Sequence, residues 1–372
     1  MFESPPFWMY VAGFLLLLGP LITVHELGHY LVGRWFGVRA EVFSIGFGKE
    51  IAGRTDRHGT RWRLSLLPLG GYVQFKGDMN PASVPDPEAV VEPGSFQGAA
   101  LWKRALIVAA GPVTNLLVAI GILAALFTIY GQQVITNPEA STEIGAFAEG
   151  SAAEAAGMEV GDRIVAIDGE AVTEFNDIVR AIELYPGRDL IITALRDGRE
   201  RTFAMTAARA TREDGFGNTS VVGRIGIAPA ALEVAFQRVP LIEAIPLATA
   251  TCWDITKMMV TGIRQIVTGE RSIKELGGPV KIAKYSGEQL SLGITPFAFF
   301  VALISLNLAF INFLPIPALD GGHLAFYAAE AIRRKPAGPE ATEWAYRFGI
   351  VFVLVFMVVV TWNDITDLLP FG

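Results

Sequence analysis

The sequence has a single cysteine and little charge for its length. Cys252 stands alone among 372 residues, which excludes an intrachain disulfide and a cysteine-rich zinc site. Charged residues make up 18% of the chain, whereas a soluble protein carries about 25%. Basic charge is not in excess, because the formal net charge is −7, and nucleic-acid-binding proteins leave a basic footprint. We therefore expect a membrane protein with some aqueous parts and no nucleic-acid partner.

Apolar runs are long and repeated along the chain. A helix needs about 20 apolar residues to cross a bilayer, and residues 6–32, 105–130 and 296–317 meet this length. A shorter run at 348–362 is flanked by Arg347 and Trp362, which suits interfacial anchoring. The N-terminal run has no basic region or small-residue cleavage site before it, so we predict a retained span rather than a signal peptide. These runs predict four transmembrane helices.

Lysine and arginine are distributed unevenly around these runs. They follow the first run, precede the second and lie between the third and fourth, whereas residues 1–9, 131–150 and 364–372 have none. The positive-inside rule then predicts that both termini and residues 131–295 lie outside the cytoplasm. Residues 239–270 are apolar but interrupted by charges, so we predict an amphipathic helix on the outer membrane surface or against the bundle.

Three ionisable residues lie within the first apolar run, in the stretch "VHELGHY". Such residues at membrane depth are costly and indicate function. His25 and His29 are four residues apart and therefore lie on one helical face, from which both imidazoles can bind one zinc ion. Glu26 is the residue that an H-E-x-x-H pattern offers as general base. The alternative is a pair of hydrogen-bonded intramembrane histidines without a metal.

A catalytic zinc site needs a third protein ligand and one open position. The segment "NFLPIPALDGGH" at 312–323 offers Asp320, because its prolines prevent a continuous helix and an unpaired carboxylate there is costly. His323 is a second choice in the same segment. His58 lies in the charged stretch "RTDRHGTRWR", where we expect it to be solvated.

Several stretches together resemble one protein family. They are "VHELGHYLVGRWFGV", "FSIGFGKEI", "LPLGGYVQFKGD", "AAGPVTNLLVAI", "LGGPVKIAKYSG", "NFLPIPALDGGH" and "WNDIT". They resemble the site-2 proteases, which are intramembrane zinc metalloproteases, and among these the bacterial regulator of sigma-E type. The stretch "SAAEAAGMEVGDRIVAIDG" resembles a PDZ domain of bacterial proteases. The best-known members of the family have two tandem PDZ domains, whereas this sequence contains one such stretch.

The resemblance implies roles for particular residues. His25, His29 and Asp320 would hold one Zn²⁺ per chain, and Glu26 would activate water. Asn312 would hold the substrate backbone or support the oxyanion, although a helix–helix hydrogen bond is an equal alternative. In "SLLPLGGYVQF" we predict a Gly70-Gly71 turn followed by a strand, similar to the membrane-associated β-loop of the family. Its edge would pair with an unwound substrate, and a plain hairpin cap is the alternative. The predicted substrate-binding residues are Asn312, Gly70, Gly71, Tyr72 and Val73.

The predicted fold class is an α-helical polytopic membrane protein with four transmembrane helices, a membrane-associated β-loop and an inserted α/β PDZ domain. The predicted divisions are a first transmembrane helix at 1–35, a cytoplasmic-side loop with the β-hairpin at 36–104, a second transmembrane helix at 105–130, a periplasmic PDZ domain at 143–208, an amphipathic surface helix with a connecting loop at 236–290, a third transmembrane segment at 295–332 and a fourth helix at 346–363. A Gly-rich linker is expected at 212–218.

The predicted function is hydrolysis of a peptide bond in or near the transmembrane segment of a single-span membrane protein. By resemblance, the substrate would be an anti-sigma factor, and remnant signal peptides would be a second class of substrate. The protein would lie in the bacterial inner membrane, with both termini and the PDZ domain in the periplasm. The PDZ domain would bind an extended peptide or act as a gate that binds nothing. The alternatives are a non-catalytic PDZ receptor with a structural zinc site, and a different membrane zinc protease that trims prenylated tails.

Overall fold

The structure, a computed structural model, describes residues 5–77, 92–135, 137–183, 185–213, 219–231, 233–268, 277–335 and 338–368. The chain divides into two compact units. The first comprises Met1–Ile129 and Val239–Gly372, and the second comprises Tyr130–Arg238. The second unit is wider than the 143–208 predicted for the PDZ domain. Of the predicted 212–218 linker, residues 214–218 lie outside the described residues.

Among the residues that the structure describes, four helices of the first unit are long and apolar enough to cross a membrane. They are α1 (Phe7–Trp35), α2 (Leu101–Ile129), α7 (Ile294–Phe313) and α9 (Pro339–Leu368). At 1.5 Å per residue, a helix of 29 residues is about 44 Å long, which exceeds the apolar thickness of a bilayer. Large apolar side chains such as Val351, Leu354 and Val358 are exposed on α9. This surface fits lipid contact better than water.

The helices approach each other closely where glycines face backbone. A Cβ atom at Gly28 of α1 would lie 2.6 Å from the Ala110 carbonyl oxygen of α2. A Cβ atom at Gly13 would lie 2.7 Å from the backbone of Ser286. Small residues at such contacts allow apolar helices to pack by van der Waals contact and backbone proximity. These two glycines therefore let α1 approach α2 and the backbone at Ser286 closely.

The chain breaks after α7, at the predicted proline pair. Helix α7 ends at Phe313, and the next helix, α8 (Asp320–Arg333), begins at Asp320. Proline lacks the N–H that a helix requires, so Pro315 and Pro317 account for the break. A Cβ atom at Gly321 would lie 2.2 Å from the Leu314 carbonyl oxygen, so this glycine allows α8 to fold back against the broken segment.

Two further helices described in the first unit are α5 (Leu241–Thr268) and α6 (Pro279–Leu292). Helix α5 matches the predicted amphipathic helix and packs against α2 through Ala244, Ala248 and Cys252. Helix α6 lies where we predicted a connecting loop, so that part of the prediction is wrong. The cause is a cap supplied from elsewhere, because the Asp364 carboxylate of α9 accepts hydrogen bonds from the backbone of Gly278, Val280 and Lys281. These are N–H groups that the first turn of a helix leaves unpaired.

Between α1 and α2, the strands β1 (Ala40–Thr55) and β2 (Arg61–Phe75) form a hairpin. Each strand bends, so the hairpin contains four strand segments, here called arms. Residues 40–45 pair with residues 71–75 on one side, and residues 42–45 pair with residues 61–64 on the other. The β2 arm at 71–75 has the first part of β1 as its one strand neighbour among the described residues. It therefore forms an edge of the sheet.

The predicted Gly70-Gly71 turn is wrong, because both residues lie inside β2. The hairpin turn is instead at 56–60, where the Asp56 N–H donates to the Thr60 carbonyl. Gly70 has a φ of +134°, which only glycine adopts readily, and it forms a bend within the strand. A Cβ atom at Gly71 would lie 2.7 Å from the Ser44 carbonyl oxygen, so glycine is required there by close backbone approach.

The second unit contains a four-stranded antiparallel sheet in the order β6–β5–β7–β8. The strands are β3 (Gln132–Ile135), β4 (Ile144–Phe147), β5 (Arg163–Ile167), β6 (Glu170–Ala171), β7 (Asp189–Arg196), β8 (Arg199–Thr206), β9 (Ala208–Glu213), β10 (Thr219–Arg224), β11 (Ile227–Pro229) and β12 (Val234–Gln237). Its helices are α3 (Ala152–Ala155) and α4 (Phe175–Glu183). Strand β5 has the sequence "RIVAI", and its side chains Ile164 and Ile167 are buried in one core with Ile178 and Ile182 of α4.

Candidate metal centre

Helix α1 places two imidazoles side by side in a buried position. His25 and His29 are each 9% exposed, and their Nε2 atoms are 3.2 Å apart. One helical turn separates the residues, so both rings extend from the same face. The sequence spacing predicted this arrangement.

The N-terminus of α8 brings a carboxylate to the same point. Asp320 Oδ2 lies 3.1 Å from His25 Nε2 and 3.6 Å from His29 Nε2. Ligand atoms about 2.1 Å from a tetrahedral zinc ion are about 3.4 Å from one another, so the three separations fit one ion. Asp320 Oδ2 is buried and receives no hydrogen bond from the described residues. A cation satisfies such an oxygen, and the donor set of two imidazoles and one carboxylate suits zinc.

The other nitrogens of the two imidazoles contact α2. His29 Nδ1 lies 2.8 Å from the Ile107 carbonyl oxygen, which fixes the proton on Nδ1 and leaves Nε2 free as a ligand. His25 Nδ1 lies 3.2 Å from the side-chain amide of Asn115. Gly111 lies between these contacts, and a Cβ atom there would be 2.3 Å from His29 Nε2.

Sequence reasoning did not identify Gly111 or Asn115 as site residues. Both belong to the stretch "AAGPVTNLLVAI", which entered the sequence analysis only through its family resemblance. A polar asparagine and a Gly-Pro pair inside an apolar run were the available signals, because such residues in membrane helices indicate close packing or buried polar contacts. The partner residues could not be read from the spacing within α2.

Glu26 connects the histidine pair to the edge of the β-sheet. Its Oε2 accepts a hydrogen bond of 3.1 Å from the Val73 backbone N–H. Both residues line one cavity of about 360 Å³, together with His25, His29 and Asp320. The cavity therefore offers three ligand atoms, a carboxylate and a strand edge to one bound molecule.

The predicted substrate-binding residues differ in whether they line this cavity. Asn312, Gly71, Tyr72 and Val73 line the cavity. Gly70 is not among the lining residues, and its Cβ position would meet the Phe47 ring at 2.2 Å.

The two remaining histidines lie outside the ligand cluster. His323 lines the cavity, but its Nδ1 lies 2.6 Å from the Tyr346 hydroxyl. His58 is exposed at the hairpin turn, where its backbone N–H donates to Asp56. The group of described residues that could hold a metal ion is His25, His29 and Asp320.

The described helices are apolar and long enough to cross a membrane. They surround a buried site of two histidines and one carboxylate, with a glutamate beside it, and this combination is typical of membrane metalloproteases. The comparison with known proteins agrees. The model of Peptidase family M50, the family of the site-2 proteases, matches residues 13–356, and the chain belongs to this family.

Three relatives show the extent of the likeness. Proteins of Agrobacterium fabrum and Rhizobium meliloti, both named "putative zinc metalloprotease", are 43% and 42% identical to this chain. The first match covers 97% of this chain and 96% of the relative. The second match covers 95% of this chain and 95% of the relative. Metalloprotease MmpA of Caulobacter vibrioides is 33% identical over 96% of both chains.

One solved structure shows a more distant likeness. It is the PDZ domain of an SdrC-like protein from Listeria monocytogenes, which is 18% identical and has a TM-score of 0.19. The match covers 23% of this chain and 84% of that one.

Proposed function

We propose that the chain is a site-2-type intramembrane protease that uses one zinc ion to hydrolyse a peptide bond in or near the transmembrane segment of a single-span membrane protein. The observation that carries the proposal is the convergence of His25, His29 and Asp320 on one point of a cavity that Glu26 also lines. An open cavity beside three ligands is typical of catalytic zinc sites, whereas structural sites are usually closed by four protein ligands. This difference favours a protease over a receptor with a structural zinc.

Zinc, when bound, supplies a Lewis acid that polarises the scissile carbonyl and lowers the pKa of water. Glu26 takes the proton of the attacking water and passes it to the nitrogen of the leaving amine, so that a carboxylate and an amine are the new termini. Its hydrogen bond from the Val73 N–H holds the carboxylate at the cavity wall. Asn312, on another wall of the cavity, donates its amide N–H to the substrate backbone or to the oxyanion.

The edge of β2 supports the unwound substrate. A helix that opens in lipid leaves backbone groups unpaired, at a cost of several kcal/mol for each group. Residues 71–75 form a sheet edge that lines the cavity at Gly71, Tyr72 and Val73, and an extended peptide can add to it as a further strand. Strand addition thus replaces hydrogen bonds that the substrate helix loses.

Exposed apolar residues of the hairpin support its contact with the membrane. Ile51, Leu66 and Leu67 are 62%, 60% and 52% exposed, and Phe47 and Leu64 are exposed as well. A patch of this kind indicates a membrane or protein contact. The proposed cytoplasmic-side hairpin would dip these side chains into the bilayer beside the site.

The second unit carries its own groove. A cavity of about 370 Å³ lies between α4 and residues 222–227, with Ile178, Ile182 and Ile225 among its lining residues. The unit is proposed to be a PDZ domain that binds an extended peptide in this apolar groove. Anti-sigma factors and remnant signal peptides are the proposed substrates of the whole protein, in the bacterial inner membrane.

The test of the proposed activity is cleavage of a purified single-span substrate with zinc present. Glu26→Gln keeps the size of the side chain and removes the base, so cleavage should fall at least about 10²-fold while zinc stays bound. Glu41→Gln, at an exposed position on β1, is the matched control and should cleave as the parent does. Undiminished cleavage by Glu26→Gln would exclude Glu26 as the base.

The strand-edge proposal has a separate test. Val73→Pro removes the N–H that Glu26 accepts and also the regular strand geometry at this edge, whereas Val73→Thr keeps both the N–H and the shape. We expect zinc content to be unchanged in both variants and cleavage to fall at least about tenfold only in the proline variant. Equal cleavage by the two variants would contradict both strand addition at this edge and the role of the Val73 N–H in holding Glu26.

A further inference from the structure

Asn115 is a fully buried polar residue on α2 that the proposed reaction does not use. Its side-chain Nδ2 lies 3.2 Å from His25 Nδ1, and its Oδ1 is buried without a hydrogen-bond partner among the described residues. Its backbone carbonyl accepts a 2.7 Å hydrogen bond from Ser305 Oγ of α7, and Ser305 is also fully buried. The residue therefore connects α1, α2 and α7 directly behind the histidine pair.

The chemistry of a metal-binding imidazole determines what Asn115 must offer. His25 Nε2 faces Asp320 and His29, so Nε2 is the nitrogen that would bind zinc. A neutral imidazole with a free Nε2 carries its proton on Nδ1, and that N–H needs an acceptor. The amide NH₂ of asparagine only donates. Turning the Asn115 amide by 180° brings the unpartnered Oδ1 to the Nδ1 proton of His25. The oxygen and nitrogen of a side-chain amide are told apart by their hydrogen-bond partners, and these partners favour the turned orientation.

We propose that Asn115 is a positioning residue for the zinc site, whose Oδ1 accepts the Nδ1–H of His25. The inference rests on the proposed zinc site. The hydrogen bond holds His25 in the tautomer and ring orientation in which Nε2 points to Asp320 and His29. Helix α2 then orients both imidazoles from behind, because the Ile107 carbonyl serves His29 in the same way. Partners of this kind, behind the ligands, typically change metal affinity about 10- to 100-fold when they are lost.

The test compares variants by zinc affinity, measured by competition with a chelator on the full-length purified protein. Asn115→Leu has a similar volume and no acceptor, whereas Asn115→Asp keeps an acceptor and loses every donor. Thr114→Val is the matched control, because it removes a neighbouring hydroxyl whose hydrogen bond within the described part of the chain goes to the Ala110 carbonyl of its own helix. Thermal unfolding of the metal-free proteins shows separately whether each variant folds.

We expect zinc to bind about 10- to 100-fold more weakly in Asn115→Leu, and within a few-fold of the parent in Asn115→Asp and Thr114→Val. If Asn115→Leu does not fold, Asn115→Asp still distinguishes an acceptor from a donor. Asn115→Asp has no side-chain donor, so it would bind zinc weakly if Asn115 acted by donating to His25. Weak binding by Asn115→Asp, or parental binding by a folded Asn115→Leu, would overturn the inference. A parent protein that binds no zinc would instead overturn the proposed function.

Discussion

At the scale of the residue, Gly111 determines how closely α2 can approach the imidazoles. Gly111→Ala places a methyl group 2.3 Å from His29 Nε2 and 2.8 Å from His25 Cε1, so the rings must move. Because displacements of about 1 Å can cost about 10²-fold in rate, we expect cleavage to fall by at least that factor and zinc to bind more weakly. Both are measured on purified protein.

The control for this substitution lies on the same helix. A Cβ atom at Gly121 has nothing within 4 Å, so Gly121→Ala should keep cleavage and zinc. Its higher helix propensity should stabilise α2 by up to about 1 kcal/mol. A Gly111→Ala variant as active as Gly121→Ala would show that α2 does not contact the imidazoles as described.

The residues of the site differ in how far the sequence could predict them. His25, Glu26 and His29 follow from helical spacing alone, because one element carries all three. Asp320 required a second argument, namely that a carboxylate in a proline-broken apolar segment needs a cation. Asn115 and Gly111 act only through contacts between α1 and α2, and such contacts leave no periodic signal within one helix.

At the scale of the element, the N-terminus of α6 depends on a residue 86 positions away. The fully buried Asp364 accepts three backbone hydrogen bonds from this turn, and Asp364→Ala leaves those N–H groups without their acceptor. We expect a loss of about 2–3 kcal/mol in stability, measured as a lower unfolding temperature in detergent. Asp364→Asn should lose less, because the amide oxygen still accepts. Thr366→Ala, at an exposed position, should have no effect, and an equal loss there would contradict the capping role.

The second unit contains an ion pair that predicts a pH dependence. Burial raises the pKa of Asp162, but hydrogen bonds from the Arg196 guanidinium and the Glu159 backbone N–H outweigh it and hold the pKa below its ordinary value. A lowered pKa in the folded state means that the pair stabilises fully above about pH 4, and that this contribution is lost as the pH falls through the folded pKa.

Hydrogen exchange of β5 and β7 as a function of pH measures this contribution. Protection should decline on acidification in the parent, and the decline should be shallower in Asp162→Asn, which has no charge to lose. Asp189→Asn, at an exposed position, should keep the parental profile. Identical profiles for the parent and Asp162→Asn would contradict the assignment to this pair.

The elements themselves were predictable to different degrees. The four apolar runs correspond to α1, α2, α7 and α9, because length and hydropathy are local properties. The bend at Gly70 was mistaken for a turn, since a glycine pair favours both and only the pairing with β1 distinguishes them. Helix α6 was missed because its cap comes from Asp364, which no local pattern indicates.

At the scale of the whole molecule, the proposed orientation places the hairpin turn in the cytoplasm and the second unit outside. Arg57 and Arg199 are exposed on these two parts, and each can be replaced by cysteine in a Cys252→Ala background. A membrane-impermeant thiol reagent applied to cells with an opened outer membrane should label the cysteine at 199, and the cysteine at 57 only after lysis. The reverse pattern would invert the topology.

The central claim is that two imidazoles from α1 and a carboxylate from α8 hold one zinc ion. X-ray absorption at the zinc edge, recorded on the purified full-length protein, reports the ligands directly. The account predicts one zinc per chain with nitrogen and oxygen neighbours at about 2.0–2.2 Å, and the loss of one oxygen neighbour in Asp320→Ala. A sulfur neighbour, or a zinc environment that is the same in the parent and in Asp320→Ala, would contradict it.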